Sequence, residues 1–214
     1  MQFKVLEKMT AAEFSIWMIP QLKPLREAIL RYYKPDSCVA STAILLKHIQ
    51  RHLGSRVQAE AISVDVVLTN APYMQQFAQH PENLPSERVV QQWQRKHGAY
   101  KIGLGAWSDG ESLTGHLVAL VWLADIPMMV DMSLDQGRRT EWGIVPDPIC
   151  ILVPGYFIEG TKQISDSITN PPNSLYPHYF VGYGRALFEG WHLDHPDWTD
   201  KKGLHKKVLE RYYG

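Results

Sequence analysis

Three residues in this chain have the types and order for thiol chemistry: Cys38, His116 and Asp131. Cys38 lies in Lys34-Pro-Asp-Ser-Cys-Val-Ala-Ser-Thr-Ala, where a proline-containing turn runs into a helix. The pattern predicts that helix over Val39 to His52. It has apolar residues at Ile44, Leu45, Ile49 and Leu53, an end at Gly54, and Asp36 or Ser37 available as a cap. A thiol in that position meets unpaired backbone N–H groups and the positive end of the helix dipole. Both favour the thiolate, which is the nucleophilic form.

The partners of that thiol are expected in the run Gly115 to Gln136. His116 opens one apolar strand, and Asp131 closes the next, fifteen residues later. In an antiparallel hairpin the start of one strand lies beside the end of its neighbour, so the two side chains can meet across the ladder. The carboxylate would hold one ring nitrogen as N–H and leave the other free to face a thiol. A carboxylate amid Met-Met-Val-Asp-Met also needs a partner, because unpaired carboxylates are rarely buried.

The elements that must position these residues read as helices first and strands later. Residues 11 to 33 are helical in pattern, with a bend or break expected at Pro20 and Pro24. A strand is expected over Arg56 to Thr69, with Val64, Val66 and Leu68 on one face. Helices are predicted over Pro72 to His80 and Ser86 to His97, the second closed by Gly98. Short strands are expected at Tyr100 to Leu104, Leu117 to Leu123, Met128 to Met132 and Ile149 to Val153. Residues 160 to 178, with Asn170-Pro-Pro-Asn, read as an excursion. Tyr179 to Tyr183 reads as a last strand and Thr199 to Tyr212 as a terminal helix weakened by Gly203.

The bulk properties fit one domain over residues 1 to 214. The chain is 45% hydrophobic and 21% charged, an ordinary globular balance. Lysine plus arginine equals aspartate plus glutamate, which gives no support for a nucleic-acid or anionic-membrane binder. Two cysteines do not make a disulfide framework. The first residues lack an apolar signal core, and the apolar runs are too short to span a bilayer. The expectation is a soluble, cytoplasmic protein with no membrane or nucleic-acid partner.

Cysteine at a helix start, Gly-His opening an apolar strand and Val-Asp closing the next together resemble the transglutaminase-like and arylamine N-acetyltransferase-like branch of the papain-like cysteine enzymes. The resemblance covers roughly residues 30 to 145, and the rest of the chain, to residue 214, reads as a C-terminal extension. It implies an α+β papain-like (transglutaminase-like) domain, with N-terminal helices packed on an antiparallel sheet. By position, Cys38 matches the nucleophile, His116 the base and Asp131 the orienting carboxylate. Asp131-Met-Ser-Leu-Asp-Gln matches the polar turn after the final strand. The implied activity is cysteine-dependent acyl transfer through a thioester, with hydrolysis, deamidation and transfer all open. The substrate is then an acyl or amide group, a protein or peptide side chain included. No metal or nucleotide cofactor is called for, and coenzyme A enters only by the acetyltransferase analogy. The alternative is a non-catalytic binding module on the same fold.

Blander readings stand beside each residue. A lone cysteine is usually a small buried residue; its helix-start position and the His/Asp hairpin favour catalysis for Cys38, whereas Cys150, in an apolar strand, reads as structural. Asp135 competes with Asp131 but falls in the turn, and Gln136 reads as finishing that turn rather than as a donor to a substrate carbonyl. The cluster His192, Asp194, His195 and Asp197 has zinc-compatible types but reads as a solvated turn. His48 and His52 read as a polar helix face, and Lys201, Lys202, Lys206, Lys207 and Arg211 as a basic one. Trp107, in the loop after Leu104, is a candidate substrate-binding wall.

Overall fold

A computed structural model describes residues 9–80, 85–104, 115–124, 126–153, 163–165, 168–170, 173–181 and 190–214. The expected Trp107 wall lies outside these residues.

The first helix, α1 (Ala11–Ile29), starts at a capping box in which Thr10 accepts from the Glu13 N–H and Glu13 accepts from the Thr10 N–H. It runs through Pro20 and Pro24 without the expected interruption. Both prolines sit on its exposed face, where water can serve the carbonyls they leave unpaired. The opposite stripe buries Phe14, Met18, Leu22, Leu25 and Ile29. Five large side chains at about 1.5–3 kcal/mol each offset about 3 kcal/mol per proline.

Helix α2 (Cys38–Leu53) begins one residue earlier than its periodicity suggests. Ser37 occupies the cap position but makes no side-chain capping bond, contrary to expectation. Its hydroxyl accepts from Arg26 instead. After α2, β1 (Gln58–Asn70) leads into α3 (Ala71–Ala78) and α4 (Glu87–His97), the latter closed by Gly98 in a left-handed conformation. Next come strands β2 (Lys101–Leu104), β3 (His116–Trp122), β4 (Met128–Asp131) and β5 (Ile149–Leu152), each within one residue of expectation.

The segment expected to be an excursion is instead sheet: β6 (Gln163–Ser165), β7 (Ile168–Asn170) and β8 (Asn173–Val181). Alternation failed as a signal because Leu175, Pro177, His178 and Tyr179 are all buried. Pro177 is tolerated because it lies between the stretches where β8 pairs with β7 and with β6, so among the described residues only β1 pairs beside it. The last helix, α5 (Leu204–Tyr213), starts only after Gly203, whose φ of 63° ends the preceding turn.

The architecture is α+β: helices on an antiparallel, curled sheet. The sheet order is β5-β4-β3-β1-β8-β6, with β2 on β1 and β7 on β8. Two cores flank it. Ala119, Val121, Met128 and Val130 face α1, α2 and α5. Val118, Leu120, Met129, Val64, Val66, Leu68 and Tyr179 face the other side. The period of two in β3 and β4 assigns those faces. Among the described residues no helix is long and apolar enough to cross a membrane.

Candidate active site

By strand parity His116 and Asp131 belong to the inner face, with Leu120 and Met129. The β3–β4 ladder pairs Ala119 with Val130 and Leu120 with Met129. Continuing that register sets Asp131 opposite Val118, one diagonal from His116, within reach of a ring and a carboxylate. His116 Nε2 lies 2.9 and 3.0 Å from the two Asp131 oxygens, and both side chains are buried. Asp131 also accepts from the Ser133 backbone N–H at 2.9 Å and from the Tyr179 hydroxyl at 3.0 Å.

The other ring nitrogen, His116 Nδ1, is buried and has no hydrogen-bond partner among the described residues. The imidazole and the Cys38 thiol interact, and each perturbs the other's titration. Burial alone would lower the imidazole's pKa. The Asp131 charge and hydrogen bond, and then Cys38, overcome that and raise it to about 10. Burial alone would raise the Cys38 pKa. Interaction with the imidazole, the Leu117 backbone N–H and the Gln136 side chain brings it below the ordinary thiol value. Asp131 is pushed up by burial but held below the usual carboxylate range by His116, the Ser133 N–H and the Tyr179 hydroxyl. The raised imidazole and the lowered thiol both act in the direction of a thiolate–imidazolium pair.

Cys38 is positioned by a residue that sequence reading missed. Arg26, on α1, is buried and gathers the turn before α2. It donates to the Pro35 carbonyl at 2.6 Å, the Ser41 hydroxyl at 2.7 Å and the Ser37 hydroxyl at 3.4 Å. It also pairs with Asp135 at 2.8 Å. One guanidinium thus ties the turn before Cys38 to the turn after Asp131. The signal was present in the sequence: Arg26 stands four residues after Leu22 on the stripe that is otherwise apolar. Thr42 adds a second tie by donating to the Leu117 carbonyl at 2.9 Å.

Cys38 is partly exposed and lines a cleft of about 510 Å³. The near wall holds Tyr33, Lys34 and Asp36; the far wall holds Trp191, His195 and Lys202. The C-terminal region therefore walls the thiol's cleft, a role no motif revealed. Trp191 is tethered to β1 through its Nε1–H to Ser63 Oγ at 3.0 Å. The His192–Asp197 run folds as a turn in which His195 Nδ1 accepts from the Asp197 N–H. No group of three or more metal-ligating side chains occurs among the described residues.

The remaining candidates separate. Cys150 sits in β5, and burial pushes its thiol up to about 12. His48 is not on a polar face: it is fully buried, with its ring nitrogens on Tyr213 Oη and Gln21 Oε1 at 2.8 and 2.9 Å. His52 is exposed, as are Lys201, Lys202, Lys206, Lys207 and Arg211. Comparisons with family models, curated proteins and solved structures match nothing.

Proposed function

We propose that this protein is a cysteine-dependent acyl-transfer enzyme on a papain-like, transglutaminase-like domain, working through Cys38, His116 and Asp131. The observation that carries it is the buried His116–Asp131 pair, open at one ring nitrogen, whose imidazole interacts with a thiol at the start of a helix. The Cys38 thiolate attacks an acyl carbonyl, forming a C–S bond and a tetrahedral oxyanion. The Cys38 backbone N–H, in a first turn without a side-chain cap, donates to that oxyanion. As the intermediate collapses, the His116 imidazolium gives its proton to the leaving amine or alkoxide. Water or an amine then attacks the thioester, His116 removes its proton, and the thiol is released. Water yields hydrolysis or deamidation, and an amine yields acyl transfer. Asp131 keeps the Nε2 proton in place and supports the imidazolium throughout.

Iodoacetamide tests this directly. At pH about 6 Cys38 should be alkylated in strong preference to Cys150, since a lowered thiol keeps a thiolate fraction there and a raised one does not. His116→Ala should remove the preference. Equal, slow labelling of both cysteines would favour a non-catalytic binding module on the same fold.

A further inference from the structure

We propose that Gln136 is a catalytic residue, its side-chain amide giving the oxyanion a second hydrogen bond beside the Cys38 backbone N–H. This rests on the thiol-acylation reading above. Gln136 Nε2 is buried and has no partner among the described residues. A buried amide donor left open costs about 1–3 kcal/mol, which is the kind of expense found at functional sites.

The placement of that amide is fixed from three sides. Gln136 lies in a short 3-10 turn, Leu134–Gly137, with its own N–H on the Ser133 carbonyl at 3.0 Å. Its predecessor Asp135 is held by Arg26, and the same guanidinium holds Ser37, the residue before Cys38. Gln136 and Cys38 are thus each one residue from a shared clamp. Its successor Gly137 is pressed against Leu68 so closely that a Cβ there would collide with Leu68 Cδ1. An oxyanion donor must be in place before charge develops, and the Ser133 and Arg26 contacts hold this turn in position. The Gln136 amide also acts on the Cys38 thiol itself and helps to lower its pKa. When thiolate charge moves onto a carbonyl oxygen, the same N–H has the new charge within reach.

The test uses two reagents that differ in one respect. Alkylation by iodoacetamide displaces iodide at a saturated carbon and builds no oxyanion. Acylation by p-nitrophenyl acetate passes through one: the Cys38 sulfur bonds to the acetyl carbon, p-nitrophenolate leaves, and water releases acetate. Gln136→Met keeps the side-chain length and removes the donor. After each rate is scaled to the variant's own thiolate fraction, alkylation should change less than about twofold, and acylation should fall about 10²-fold or more. Gln136→Glu, of the same shape, should acylate more slowly still, because its carboxylate repels the oxyanion. Melting curves identify whichever variant is folded. Equal losses with both reagents, or no loss of acylation in either folded variant, would overturn the assignment. If wild-type Cys38 reacts with neither reagent faster than Cys150, the thiol reading falls first, and this failure is distinguishable from that of Gln136 alone.

Discussion

Replacing Asp131 with asparagine isolates the contribution of one charge. The side chain keeps its outline, so the backbone need not move. Its retained oxygen can still accept from the Ser133 N–H and stays 3.0 Å from His116 Nε2, but an NH2 group replaces the oxygen that accepts from Tyr179 and lies 2.9 Å from Nε2. A neutral ring that accepts from this NH2 has no proton on Nε2 and carries it on Nδ1, so the asparagine no longer enforces one tautomer as the carboxylate does. In the proposed mechanism Nδ1 takes the thiol's proton, so a proton already there blocks the base. The charge matters as much as the tautomer. His116 is held at about 10 against an ordinary value of about 6.5, because Asp131 first and then Cys38 outweigh the burial that pulls it down. Without Asp131, burial prevails and the imidazole becomes neutral near pH 7. The thiol then loses its imidazolium and titrates near or above its ordinary value of about 8.5.

The expected turnover loss is about 10³- to 10⁴-fold. The fold should survive at a cost of about 1–3 kcal/mol for the imperfect hydrogen bonds. The assay needs no natural substrate. Iodoacetamide rates for Cys38 between about pH 4 and 10 trace the thiolate, and the midpoint should move upward in Asp131→Asn. Asp135→Asn provides the contrast. It strips charge from the partner of a buried arginine, so it should lower the melting temperature while leaving the midpoint near wild type. A wild-type profile in Asp131→Asn, or a larger midpoint shift in Asp135→Asn, would show that the orienting carboxylate has been misassigned.

The same network sets two further outcomes. Arg26→Met should destabilise the fold by about 3 kcal/mol in denaturant titrations, because it leaves the mostly buried Asp135 without its cation and frees the turn before Cys38. Stability should be flat from about pH 6.5 to 8.5 and fall on either side. In that window the folded Cys38–His116 pair and the unfolded chain each hold one proton. Below about 6.5 the unfolded chain holds two, so stability falls as pH drops toward the lowered folded thiol value; buried His48, held at about 4, adds to that limb. Above about 8.5 the unfolded chain holds none while His116 keeps its proton to about 10, so stability falls as pH rises. Denaturant midpoints across pH would reveal the plateau, and Cys38→Ala should remove the thiol's share of the acid limb.

What the sequence made legible was local. The run from His116 to Asp131 is apolar enough, and interrupted sharply enough, to place both strands within a residue. The pairing of histidine and carboxylate then came from hairpin geometry, although the contact is diagonal rather than direct. What stayed hidden was long-range. Tyr179 reaches Asp131 from a strand forty-eight residues away, and nothing near Tyr179 indicates where β8 will lie. The cleft's far wall depends on Trp191 meeting Ser63 across an even longer separation. Arg26 lay between these cases. Its place on the buried stripe was readable, but its partners were not, because a helix pattern reveals a face and not what covers it.

Two internal contrasts bear on why this cluster exists. His48 and His116 are equally buried. His48 has both ring nitrogens satisfied, stacks on Trp17, and burial holds its pKa at about 4. It is a finished structural histidine, neutral at physiological pH. His116 is satisfied at one nitrogen only, and its pKa is pushed the other way. Cys150 and Cys38 differ in the same sense, one thiol raised by burial and one lowered by donors. Four buried side-chain polar atoms lack partners among the described residues, and three of them belong to His116, Ser133 and Gln136, around the same carboxylate and thiol. If the cluster served stability alone, those atoms would cost free energy that a well-packed apolar core would not, since replacing buried ionic groups by such a core is often neutral or stabilising. A set of polar groups that is closed on its Asp131 side and open on its Cys38 side, next to a cleft, is what a reaction needs and what a folded core does not.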